Sequence, residues 1–177
     1  ELAAKVNDVD KSHTLFYAGE GKPYCDPDED DSKVIDKVSK VLNENGWKTS
    51  QFTGDVSRGK RKFLMSAFKD KTIDALVAMK VLDEGIDVPA CKTAYILAST
   101  KNPRQYVQRR GRILRKSENK HLSTIYDFVV LPANDSPASK KLKLSEAERI
   151  NDFALLAVNK LEIERLIDEH GLTYDFT

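Results

Sequence analysis

Four arginines, Arg109, Arg110, Arg112 and Arg115, fall within seven residues around Gly111. If this stretch is helical, Gln108, Arg112 and Arg115 stand four and three residues apart and share one face. A guanidinium is planar, always charged and able to grip phosphate oxygens through two hydrogen bonds. Two of them a turn apart, beside an amide that both donates and accepts, form a clamp suited to a polyphosphate. Gly111 removes a side chain next to that face, so a ligand or another backbone can come close. The competing reading is a solvated basic helix face. Tyr106, Val107, Ile113 and Leu114 weigh against it, because they give the helix an apolar side to bury.

A second candidate lies at Lys80-Val81-Leu82-Asp83-Glu84-Gly85-Ile86-Asp87-Val88-Pro89. Gly85 permits a tight turn whose amides face a phosphate, and Asp87 can accept from a ribose hydroxyl. Taken alone, such a turn is commonplace and reads as structural.

The elements that must position these groups alternate in type. Short apolar runs at 14–18, 48–53, 73–79, 93–98 and 122–131 read as strands, and 73–79 is continuous enough for the middle of a parallel sheet. Between them, Val34, Ile35, Val38, Val41 and Leu42 recur at helical spacing, with Asp31 or Ser32 as cap and Asn45-Gly46 as stop. Ser57 caps a second helix through Phe68, with Phe63, Leu64 and Phe68 on its apolar side. The arginine stretch opens near Asn102-Pro103. This alternation predicts an open α/β fold with a parallel sheet, whose ligands sit at the carboxyl ends of the strands. Residues 132–139 read as a polar linker. Ser145 and Glu148 resemble a capping box opening one long amphipathic helix, with Ile150, Phe153, Ala154, Ala157, Val158, Leu161 and Leu166 as its stripe. That stripe is expected to pack on this domain.

Composition bounds the rest. The chain has 177 residues, 40% hydrophobic and 32% charged, with a formal net charge of +1. A nucleic-acid partner is therefore not announced by overall charge, and any basic surface must be local. The acidic run Asp26 to Asp31 lies away from the arginines. Cys25 and Cys91 have no ligand-like spacing to His13, His121 or His170, so no metal site is expected. Two unpaired thiols and no apolar run of membrane-spanning length suggest an intracellular, cytoplasmic protein. Glu1 in place of methionine suggests a piece of a longer chain.

Gln108-Arg109-Arg110-Gly111-Arg112-Ile113-Leu114-Arg115 resembles motif VI of the superfamily 2 helicases and translocases, the arginine-finger motif of their second RecA-like motor domain. Ala75 to Pro89 resembles motif V, Thr53-Gly54 the element between motifs IV and V, and Thr14 to Ala18 the start of motif IV. The Ile-Leu-Arg ending resembles the restriction-enzyme and repair-helicase branch more than the DEAD-box branch. The resemblance covers roughly residues 14 to 131.

It implies a RecA-like α/β fold, an open parallel sheet with helices on both faces, over residues 1–132, and a linker with a C-terminal amphipathic helix over 133–177. It further implies ATP as the bound nucleotide, with Mg2+ held by an N-terminal RecA-like domain, since no phosphate loop or acidic magnesium box stands in this chain. Arg112 and Arg115 would act on the γ-phosphate from the sheet's ligand-bearing border, and Gln108 would orient it. Gly85, Asp87 and Arg109 would contact nucleotide, with Arg109 and Arg110 as support or interdomain contacts. Thr53, Gly54, Arg58 and Lys80 would hold one strand of DNA, or of RNA, by its phosphates. Met79 stands where many members carry a strand-contacting threonine. Two other readings stay open: a non-catalytic RecA-like interaction module, and a stand-alone nucleotide-binding domain.

Overall fold

The computed structural model describes residues 2–6, 10–18, 31–79, 88, 90–97, 107, 110–111, 113–116, 120–132 and 134–172. They group into two compact units, one of residues 1–100 with 111–128 and one of 101–110 with 129–177.

The first unit is built on β1 (Thr14–Tyr17), β2 (Thr49–Phe52), β3 (Ala75–Ala78), β4 (Thr93–Ile96) and β5 (Thr124–Asp127). They form one sheet in the order β2-β3-β1-β4-β5, and every pairing is parallel. Each strand has four residues, shorter than its apolar run. The central strands β1 and β3 are buried throughout, as a sheet covered on both faces requires.

The cover comes from α2 (Asp31–Glu44) on one face and α3 (Arg58–Lys69) on the other; α1 (Leu2–Val6) adds a short turn. Successive strand side chains alternate between the faces. Phe16, Ala75, Val77 and Tyr95 meet Ile35 and Leu42 of α2. Leu15, Tyr17, Leu76, Ala78 and Ala94 meet Leu64 and Phe68 of α3. Phe16, Tyr95 and Tyr126 occupy matching register positions on β1, β4 and β5. Their rings stack at 4.7 and 4.6 Å, and Trp47 meets Phe16 edge-on at 5.3 Å. Trp47 and Tyr95 are thus core residues. His13 also lies in the interior, just before β1, against Phe68 at 5.6 Å.

α2 stops where Asn45-Gly46 predicts. Gly46 takes a φ of +77°, and the Trp47 amide returns to the Leu42 carbonyl at 3.1 Å. Ser57 caps α3 by accepting from the Lys60 amide at 3.4 Å. Phe63 departs from its expected place on the buried side and is 68% exposed. Leu64, Ala67 and Phe68 already fill the face that α3 turns to the sheet.

The second unit corrects the reading of a single helix opening at Ser145. α4 (Pro137–Ala154) begins eight residues earlier, at Ser136-Pro137. Ser136 Oγ accepts from the Ser139 amide at 3.2 Å, and proline suits the first turn. α5 (Lys160–Glu169) is a separate helix. Folding α5 back lets Ala147 and Ile150 meet Ile163, Ile167 and Leu172, which one straight helix could not bury. Of the other stripe residues, Ala154 is buried while Val158 and Leu161 are largely exposed. Arg149 and Glu146 form a buried pair at 2.5 Å. No helix among the described residues is long and apolar enough to cross a membrane.

Candidate phosphate-binding segments

In a wholly parallel sheet, every strand delivers its following loop to the same border. Thr53 follows β2 and Met79 follows β3, and the Phe52–Ala78 register sets them side by side at the carboxyl border. The turn between β2 and α3 closes when the Val56 amide donates to the Thr53 carbonyl at 3.2 Å. Arg61 then reaches back from α3. Its Nε donates to the Val56 carbonyl at 2.8 Å and its Nη2 to the Gly54 carbonyl at 2.5 Å. A planar fork is well suited to holding two carbonyls at once. Thr53 and Gly54 stay half-buried, and Arg58 is exposed.

α3 carries Arg58, Lys60, Arg61 and Lys62 in its first five residues and no acidic residue in its first turn. The amino end of a helix already bears partial positive charge, so cations there work against the dipole. Such an arrangement serves an incoming anion better than it serves the helix. Lys60, Arg61 and Lys62 were not singled out from motif spacing, although the basic run at a helix start signals them. Met79 packs against the core on the α2 side.

Lys80, Gly85 and Asp87 lie outside the described residues, as do Gln108, Arg109 and Arg112. Val88, at the end of the first of these stretches, is buried in the core on the α3 side.

Of the arginine stretch, Val107, Arg110, Gly111 and Ile113 have helical backbone, Leu114 is a turn, and Arg115 has left the helix. Arg115 therefore does not extend the helical face that its spacing suggested. Ile113 is buried against the α3-side core, while Arg115 is exposed. Lys120 Nζ donates to the Ile113 carbonyl and, at 3.1 Å, to the Arg115 carbonyl; Ser123 Oγ donates to the Ile113 carbonyl at 3.3 Å. Ser123 directly precedes β5, so this end of the stretch lies at the amino border of the sheet. Placing the cation pair at the carboxyl border was thus incorrect for the backbone of Arg115. A segment that leaves β4 and returns to start a parallel β5 must arrive at the opposite border.

Arg110, in the second unit, is buried. Its Nη1 donates to the Asp152 main-chain oxygen and to the Asp152 carboxylate at 2.7 Å, and its guanidinium lies 5.5 Å over the Phe153 ring. It supports structure rather than facing a ligand.

Cys91, just before β4, is buried and its Sγ donates to the Thr93 carbonyl at 3.2 Å. Burial pushes its thiol up to about 12. Burial also lowers the Lys120 ammonium, and the nearby Cys91 acts in the other direction. No group of three metal-ligating side chains occurs among the described residues.

Comparison with known proteins adds to this geometry. The chain is 26% identical over 149 residues to the DEAD-box ATP-dependent RNA helicase CshA of Bacillus subtilis (strain 168), covering 81% of this chain and 30% of that protein. The fold is similar to the C-terminal domain of the DEAD-box protein Dbp5, with a TM-score of 0.59 at 16% identity over 95% of this chain and 88% of that one. It is also similar to the C-terminal part of the Fun30 ATPase domain, with a TM-score of 0.57 at 16% identity over 86% and 52%. The chain spans less than a third of the length of the curated relatives it matches. DEAD-box names among these relatives do not support the restriction-and-repair branch expected from Ile113-Leu114-Arg115. The profile of the helicase conserved C-terminal domain matches residues 29–117, half of the chain and both the β2–α3 turn and the arginine stretch. The chain belongs to the family of helicase conserved C-terminal domains.

Proposed function

We propose that this chain is the second motor lobe of an ATP-dependent helicase or translocase, gripping one nucleic-acid strand at its carboxyl border and presenting arginines to a nucleotide at the other. The observation that carries this reading is the end of the arginine stretch. Ile113 is locked into the core while Arg115, two residues on, is exposed, so an anchored backbone carries an outward cation. That arrangement fits an anionic phosphate. The phosphate loop and the acidic Mg2+ box are not in this sequence, so an N-terminal RecA-like domain would hold the ATP and its Mg2+.

When bound, ATP supplies the γ-phosphoryl group whose transfer to water drives the motor. This chain's contribution is charge: Arg112 and Arg115 would stabilise negative charge that grows on the equatorial oxygens in the transition state. Gln108 would orient the γ-phosphate, and Gly85, Asp87 and Arg109 would position the nucleotide. At the carboxyl border, the Thr53 hydroxyl, the Gly54 amide, Arg58 and Lys80 would hold strand phosphates. Such contacts position a strand without reading its sequence.

The relatives' names favour RNA as that strand. The Ile-Leu-Arg form of the motif favours DNA. We take RNA as the leading reading, and stimulation of ATP hydrolysis by single-stranded RNA against single-stranded DNA, in the intact protein, decides it.

The isolated chain is expected to hydrolyse almost no ATP. In the intact protein, Arg115→Ala and Arg112→Ala should each lower nucleic-acid-stimulated turnover by about a thousandfold. Full turnover in both variants overturns the assignment.

A further inference from the structure

We infer that Phe63 is a stacking platform for an unpaired base of the bound strand, with Lys60 and Lys62 beside it to meet the adjoining phosphates. The inference rests on the strand site read at Thr53, Gly54 and Arg58, and extends that site from phosphates to bases.

Phe63 stands in the second turn of α3 and is 68% exposed, more than any other described aromatic residue. Leu64, Ala67 and Phe68 take the buried positions of this helix, so the ring is left in solvent. Long side chains on a helix lean toward its amino end, over the preceding turn. That turn holds Gly59, where an added Cβ would meet nothing within 4 Å. A planar group therefore has room to approach the ring from that side.

The surroundings of the ring select its occupant. Residues 58–69 carry five cations and no carboxylate, in a chain whose net charge is +1. Asp55 and Asp70 lie beyond the two ends of the helix. Arg61 turns to the Gly54 and Val56 carbonyls, while Arg58, Lys60 and Lys62 are exposed. An exposed aromatic ring among cations complements a polymer with an anionic backbone and planar π-faces, which is a single strand of nucleic acid. In a duplex those faces are covered by stacked neighbours, so the base must be unpaired. At 1.5 Å per residue, Phe63 lies only about 7.5 Å along the axis from Arg58, so the same strand can reach both. Stacking of this kind accepts any base, as a protein that tracks along a strand requires.

The test uses the intact protein and equilibrium binding of a single-stranded oligonucleotide, beside an abasic strand of the same length. Phe63→Ala should raise the Kd for the oligonucleotide about tenfold. The Kd for the abasic strand, which has phosphates but no base to stack, should stay within about twofold of wild type. Phe63→Leu keeps apolar bulk without a π-face and should behave as Phe63→Ala does. Phe63→Trp keeps a π-face and should bind within about twofold of wild type, with emission quenched by the oligonucleotide and not by the abasic strand. The side chain is exposed, so the urea midpoint should stay at the wild-type value in all three variants.

Wild-type affinity for the oligonucleotide in Phe63→Ala, with Thr53→Val impaired, overturns the platform and leaves the strand site standing; the ring would then serve another occupant, such as an acidic protein surface. An equal loss on both strands also overturns the platform, because the ring would act on the backbone rather than on bases. Absence of binding of either strand to the wild-type protein overturns the strand site and the platform together.

Discussion

The β2–α3 turn and the end of the arginine stretch use one device at opposite borders of the sheet. In each, a cation from just downstream donates to two main-chain carbonyls. Arg61 holds Val56 and Gly54, five and seven residues back; Lys120 holds Arg115 and Ile113, again five and seven residues back. In each, a second cation nearby is left exposed, Arg58 at the turn and Arg115 at the end of the stretch.

The difference lies in the clamp. Arg61 is a rigid fork, while Lys120 is a single ammonium on a flexible stem. The lesson is that some cations hold the scaffold from inside while others, such as Arg58 and Arg115, stand at the surface. Counting charges along the chain does not separate the two kinds.

Four measurements break or sharpen the comparison. The largest effect should come from Arg115→Ala, with turnover down about a thousandfold while strand affinity stays within about threefold. Loss of both together would erase the division between borders. Next, Arg61→Ala leaves the Gly54 and Val56 carbonyls without their donor. It should cost about 2 kcal/mol in urea unfolding and weaken strand binding more than it changes kcat. A stability equal to wild type would mean that the fork is idle.

Thr53→Val keeps the shape and removes the hydroxyl. It should raise the strand Kd several-fold, by about 1 kcal/mol in a filter-binding titration. An unchanged Kd removes Thr53 from the strand site. The smallest change belongs to Arg58→Ala. Its mark is a salt dependence of binding shallower by about one unit of log–log slope. An unaltered slope means that Arg58 meets solvent rather than phosphate.

Much of the scaffold could be read from residue order. Continuous apolar runs alternating with helical periodicity announced a parallel sheet, and Ser57 and Gly46 marked helix ends through local chemistry that acts over a few residues. The C-terminal helices were harder. Ser145 and Glu148 carry a capping pattern, yet the helix starts at Ser136-Pro137, where Ser136 caps the Ser139 amide and proline suits the first turn. At the candidate segments, Thr53, Gly54 and Arg58 were named through the family resemblance. Lys120 and Arg61 could not, since their partners are carbonyls whose openness depends on where a helix stops.

By itself, then, the amino-acid sequence determined the alternation of strands and helices and which side chains are candidates for phosphate chemistry, because periodicity, caps and guanidinium geometry are local properties. The tertiary structure decided where those groups go. It sent the end of the arginine stretch to the border opposite Thr53, turned Arg110 inward onto Asp152 and Phe153, and committed Lys120 to carbonyls. A crossover between parallel strands fixes direction, and burial removes a cation from solvent; neither is visible until distant segments of the chain are packed together.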